Sequence, residues 1–176
     1  MSFISLVPEE RAGPELQPLY EMIRQRYDFL PNYFQALGSR PDLVEAHLAL
    51  GSGVMQGGEL AESSKEQIGV VVSGLNTSSY CIAIHLELLR RMGIEKPLGR
   101  KLATDYANAP VDTKTQALFR FADKLTCRPA DLEKEDVAAL RQAGWSEAAV
   151  LEAVLAIAYF NFVNRVAAGL GLIADF

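Results

Sequence analysis

The stretch Glu66-Gln67-Ile68-Gly69-Val70-Val71-Val72-Ser73-Gly74-Leu75-Asn76-Thr77-Ser78-Ser79-Tyr80-Cys81-Ile82-Ala83-Ile84-His85 decides how the rest of the chain is read. Ser63 or Ser64 can cap a helix that runs through Leu75, with Glu66 near its start, where a carboxylate suits the helix dipole. Asn76-Thr77 interrupts it. Ser78 or Ser79 then caps a second helix that reaches about Met92 and ends at Gly93. The run Ile68-Gly69-Val70-Val71-Val72 is strand-like by propensity, but helix caps flank it rather than hairpin turns, and a buried helix explains it equally well. So short a connection joins antiparallel neighbours, which predicts a helical hairpin.

The pattern outside this hairpin is also helical. Upstream, residues 1–13 read as an extended arm, and Glu15 to Tyr27 places Leu16, Leu19, Tyr20 and Ile23 at helical spacing. Asn32 follows Pro31 at the start of a short helix that Gly38 ends, and Asp42 to Met55 forms another. Downstream, helices are expected over 98–108, over 113–125 behind an Asp112 cap, over 134–143, and from Glu147 to about Gly169. No alternating β-branched run suggests a sheet. The expected fold is all-α, with residues 1–176 as one domain.

Composition narrows the function. The 176 residues are 49% hydrophobic and 22% charged, enough to form a core and too apolar for global disorder. The net charge of −5 argues against a nucleic-acid binder, which needs a basic face. The opening residues lack a basic start, and the most apolar segment, Val150 to Leu172, carries Glu152, Asn161, Asn164 and Arg165. A cytoplasmic protein with no membrane span is expected. Two cysteines are too few for a disulfide scaffold. No zinc pattern, phosphate loop, haem motif or flavin motif is present, so no cofactor is expected.

Ser78, Cys81 and His85 are spaced three and four apart, one stripe of a helix. Cys81 falls in the first turn, where free backbone N–H groups are expected to lower a thiol pKa. His85, one turn on, can take and return the thiol proton. Glu66 lies on the preceding helix, at a level that differs from His85 by roughly 4–5 Å at ~1.5 Å per residue. A line from Cys81 to His85 to Glu66 is therefore permitted, with the carboxylate orienting the imidazole. On spacing alone the alternatives stay open: an inert packed thiol, a core histidine and a helix-start charge.

The segment Glu66 to His85 resembles the signature of the alkylhydroperoxidase D-like superfamily, which includes the carboxymuconolactone decarboxylases. That pattern has a glutamate, then a Cys-x-x-Cys, then a histidine. Asn76 and Tyr80-Cys81 are similar to the peroxidase-related branch, as are Leu30-Pro31-Asn32-Tyr33-Phe34, Ala122-Asp123-Lys124-Leu125 and Tyr159-Phe160-Asn161-Phe162-Val163-Asn164-Arg165. The resemblance implies an all-α helical bundle whose central hairpin carries the motif. It implies homo-oligomers, trimers or hexamers before dimers, and thiol-dependent reduction of hydroperoxides. Glu66 matches the relay acid, Cys81 the attacking cysteine and His85 the relay histidine.

The first cysteine of the pattern is Ser78 here, and a hydroxyl cannot resolve a sulfenic acid. Nothing in the sequence places Cys127, the other thiol, beside Cys81. Three outcomes follow: a single-cysteine peroxidase that uses a small-molecule hydroperoxide and an external thiol; a non-redox acid–base enzyme built on His85 and Glu66; or a catalytically degenerate oligomeric binder or scaffold. Asn161 and Arg165, four apart, are expected to form a buried polar clamp or a substrate contact, with Glu66, Glu152 or a carbonyl as the arginine's partner. His47 reads as an ordinary helix histidine, and Trp145 as packing.

Overall fold

The computed structural model describes residues 2–175, and every regular element among them is helical. In chain order the helices are α1 (Gln17–Tyr27), α2 (Asn32–Leu37), α3 (Pro41–Met55), α4 (Glu62–Leu75), α5 (Ser79–Arg91), α6 (Lys96–Asp105), α7 (Thr113–Cys127), α8 (Lys134–Gln142) and α9 (Glu147–Gly169). Asp112 and Ser146 cap as expected, accepting hydrogen bonds from the Thr115 and Ala149 amides at 2.8 and 3.1 Å. The start of α4 differs from expectation. Its N-cap is Ala61, and Ser63 and Ser64 lie inside the first turn. The N-terminal arm is extended apart from one 3₁₀ turn at Glu9–Arg11, and backbone bonds pin it at Phe3 to Leu170 and at Val7 to Gln35, both 2.9 Å.

The centre of the fold is α4, which α5, α6, α7 and α9 surround. From Lys65 to Ser73 only Gln67 is even partly exposed. This explains the strand-like composition, because a helix buried on every side has no polar stripe. Two apolar clusters meet beside it. One joins Ile68, Val71, Leu118, Phe119, Ile157 and Phe160. The other joins Leu16, Tyr20, Ile23, Phe34, Cys81 and Ile84. α5 lies on the seam between them.

α9 is long and apolar enough to cross a membrane by length and composition. Here it packs against α3, α4, α5 and α7, and Ala153, Ala156, Ile157 and Phe160 on its inner face are buried.

Helix packing depends on Gly69. A Cβ placed there would come within 2.6 Å of the Phe160 ring. The missing side chain is what lets the tip of the Phe160 ring on α9 press against α4. Gly69→Ala is expected to lower stability by about 1–3 kcal/mol through overpacking, read as a lower urea midpoint with an unchanged slope.

Candidate active site

A three-residue connection, Asn76, Thr77 and Ser78, turns the chain from α4 into α5. Thr77 takes a positive φ of 52°, and the Ser78 amide donates to the Ser73 carbonyl at 2.9 Å. This tight return fixes the register of the two helices. It brings Glu66 Oε2 within 2.7 Å of His85 Nδ1, and both side chains are buried. With the carboxylate accepting from Nδ1–H, Nε2 of the neutral ring is left to accept a proton. Phe160 meets the imidazole edge-on, with ring centroids 4.8 Å apart at 89°.

Cys81, one turn before His85, is 1% exposed. Cys81, His85 and Glu66 all line a single cavity of about 200 Å³. No hydrogen bond joins Cys81 to His85 among the described residues, so the expected line of three groups is a direct bond on one side and a shared space on the other. Burial pushes the thiol pKa up, while the Ser78 hydroxyl and the Asn164 amide, hydrogen-bonded to the sulfur, oppose the rise. The expected lowering at the helix start is thus reversed. Desolvation of a thiolate outweighs the pull of first-turn amides and two neutral donors.

Ser78 occupies the N-cap position, yet its side chain makes no capping bond. Its hydroxyl serves the sulfur instead. Asn164 is the polar residue of α9 that reaches the thiol. It is 1% exposed, donates to the Ser73 hydroxyl at 3.1 Å and accepts from Asn76 Nδ2 at 3.0 Å. The helical spacing of Asn161 and Arg165 pointed one residue away from it.

Asn161 and Arg165 do not line the cavity. Arg165 is exposed, and its guanidinium donates to the Asn161 carbonyl and side-chain oxygen at 2.9 and 2.7 Å. The expected burial of this arginine is corrected, while a carbonyl is indeed its partner. Glu152 instead pairs with Lys65, a lysine only 1% exposed, at 3.2 Å, and accepts the Glu59 and Leu60 amides. Cys127 is exposed at the end of α7, with Asp123 beside it, and lies outside the cavity.

His47, read from the sequence as an ordinary helix histidine, lies in α3 but is committed to this cavity. It is buried, lines the same cavity, and shares a 2.8 Å hydrogen bond between Nε2 and the Tyr159 hydroxyl. The Tyr33 ring lies 5.0 Å from it. Burial, with a smaller contribution from Arg26, lowers its pKa from 6.5 to about 4. The folded state therefore rejects a proton that the unfolded chain accepts. Stability is fully present above pH 6.5 and is lost as the pH falls towards 4, by about 3 kcal/mol at the lower limit. Urea unfolding at pH 7 and pH 4.5 checks this: His47→Gln is expected to lose distinctly less stability between the two than the parent protein.

With this geometry in place, comparison with known proteins gives a consistent result. Residues 41–97 match the model of the carboxymuconolactone decarboxylase family. No curated protein matches the chain. An uncharacterized peroxidase-related protein from Silicibacter sp. TM1040 superposes with a TM-score of 0.92 at 26% identity, over 99% of this chain and 92% of that one. An uncharacterized peroxidase-related protein with an alkylhydroperoxidase AhpD core, from Ralstonia eutropha JMP134, gives 0.91 at 24%, over 99% and 92%. A variant of the debrominase Bmp8, in complex with 2,3,4-tribromopyrrole, gives 0.83 at 24%, over 99% and 94%. The chain has the alkylhydroperoxidase D-like fold, and its hairpin lies inside the segment that carries the carboxymuconolactone decarboxylase pattern.

Proposed function

We propose that the protein reduces hydroperoxides through Cys81, with an external thiol as reductant. The observation that carries this reading is the convergence of Cys81, His85 and Glu66 on one cavity, the imidazole held by a buried carboxylate 2.7 Å away. His85 Nε2 takes the thiol proton. The thiolate attacks one peroxide oxygen, the O–O bond breaks and an S–O bond forms. The departing alkoxide takes the proton back from the imidazolium and leaves as an alcohol. Sulfur has lost two electrons and stands as a sulfenic acid. An external thiol attacks it, releasing water and forming a mixed disulfide, and a second thiol restores Cys81. Ser78 cannot replace that first thiol, so the resolving step is intermolecular. The fold's relatives named as peroxidase-related proteins support the same reading.

The test is intact mass after incubation of reduced protein with a hydroperoxide. An oxygen adduct is expected on Cys81, formed much more slowly in His85→Ala and not at this site in Cys81→Ser. Because burial raises the thiol pKa, its rate of formation should climb as the pH rises above neutrality. Oxidation confined to Cys127 overturns the reading.

One observation favours a second reading. The His85–Glu66 pair is complete while the sulfur beside it is buried and its ionisation is opposed. That is the arrangement non-redox proton transfer would use. Turnover of a lactone or keto-acid substrate that survives Cys81→Ser and is lost in Glu66→Gln would establish it.

In either reading the protein works in the cytoplasm as a homo-oligomer. α3 and α9 pack together and leave Leu43, Leu50, Leu151, Leu155 and Phe162 exposed, an apolar set that a second copy would cover. Leu50→Asp with Phe162→Asp is expected to lower the molecular mass seen by sedimentation, and an unchanged mass would refute the assignment of this face.

A further inference from the structure

Tyr27, Tyr33, Tyr80 and Tyr159 all line the cavity beside Cys81, and their hydroxyls differ in what they can still do. The Tyr80 hydroxyl accepts the Tyr33 amide at 3.0 Å, and the Tyr159 hydroxyl is bonded to His47. The Tyr33 hydroxyl is sealed off and has no partner among the described residues. Tyr27 is the exception. No hydrogen bond joins its hydroxyl among the described residues, and the group is not sealed as that of Tyr33 is. It interacts electrostatically with Glu66, Tyr33 and Tyr159, so the phenol shares the surroundings of the His85–Glu66 pair.

The helix that carries the thiol also holds this phenol in place. Tyr27 is the last residue of α1, and Asp28 turns the chain there with a φ of 62°. Arg91, the last residue of α5, donates to the Tyr27 carbonyl at 2.6 Å and to the Asp28 carboxylate at 2.9 Å, and Glu87 accepts from the same guanidinium at 3.0 Å. The Tyr27 ring lies 5.9 Å from that of Phe34, with the Arg26 guanidinium 5.6 Å from its centre. Tyr27 therefore keeps a set position relative to Cys81 and His85 on α5. Burial pushes its pKa up, Arg26 opposing the rise and Glu66 adding to it, so the group keeps its proton and remains a donor.

We propose that Tyr27 is a catalytic residue of this site, its hydroxyl donating a hydrogen bond to the hydroperoxide oxygen that leaves when Cys81 attacks the other. The assignment rests on the peroxidase function proposed above. The electron pair of the broken O–O bond collects on the leaving oxygen, and charge forming in apolar surroundings is costly without a donor already aimed at it. Tyr27 shares its proton and keeps it. His85 delivers the proton that makes the alcohol, and the S–O bond forms as before.

The test times the modification of Cys81 in reduced full-length protein by intact mass and peptide mapping, with three small reagents. Hydrogen peroxide expels hydroxide, a strong base that needs a donor. Peracetic acid expels acetate, a weak base that needs little help. Iodoacetamide needs the thiolate and the cavity but has no oxygen leaving group. Tyr27→Phe is expected to slow hydrogen peroxide about ten- to a hundredfold, the loss of one hydrogen bond to a charged group, and to slow peracetic acid at most about threefold. Alkylation by iodoacetamide is expected to be unchanged, which a merely structural role for Tyr27 would not allow. Arg91→Gln, at the exposed end of α5, is expected to show the same selective loss in smaller measure. The proposal is overturned if Tyr27→Phe reacts with hydrogen peroxide at the parent rate, if the three reagents slow alike, or, should Tyr27→Phe not fold, if Arg91→Gln shows no selective loss. Failure of the peroxidase reading gives a different result: Cys81 of the parent protein would resist both oxidants while iodoacetamide still modified it, and the assignment of Tyr27 would fall with that reading.

Discussion

The 2.7 Å bond between Glu66 and His85 is buried at the wall of the cavity, and the surrounding structure is arranged to keep it closed. A carboxylate buried alone is costly, and one buried against an oriented imidazole is tolerable. The bond spans two helices, so it depends on their register. The three-residue turn sets that register, and the positive φ at Thr77 sets the turn. The ring of Phe160 closes the remaining side of the imidazole, and that ring can sit there because Gly69 has no side chain. A turn, a glycine and an aromatic residue from three parts of the chain therefore hold one imidazole in one orientation.

Cys81 shows two local effects losing to a global one. It lies in the first turn of α5, and two neutral donors reach its sulfur, one of them an N-cap hydroxyl diverted from capping. Each favours the thiolate. The sulfur nevertheless lies in an apolar cluster with Tyr20, Phe34 and Ile84, and its pKa rises. First-turn amides and hydrogen bonds shift a thiol modestly when water is also near, whereas removal of the water penalises the whole charge. A thiol of this kind is protected until a base is brought to it, and the one base on its stripe is His85.

What the sequence revealed and what it hid divide along the same line. The helices, the hairpin and the Glu66–His85 contact follow from spacing and loop length, which are local quantities. The direction of the Cys81 shift does not, because it depends on how α1, α2 and α9 pack over α5. His47 and Tyr159 are 112 residues apart in sequence, and no periodicity announces their bond. Arg165 was misplaced because α9 is apolar on both its inner and outer faces, so the pattern could not say which face is buried. The same ambiguity made Asn161 look like the site residue when Asn164 reaches the sulfur.

α4 offers a rule for locating the site. A polar residue fully buried in such a helix cannot be hydrated, so each of the buried ones needs a built partner. Lys65 finds Glu152 and the Gly57 carbonyl, and Ser73 accepts from Asn164. These contacts tie α4 to its neighbours and involve no open space. Glu66 finds His85, and its contact opens on a cavity. Glu66 is thus the buried polar residue of the central helix whose bonded partner also lines open space, which sets this pair apart from the contacts that only tie α4 to its neighbours.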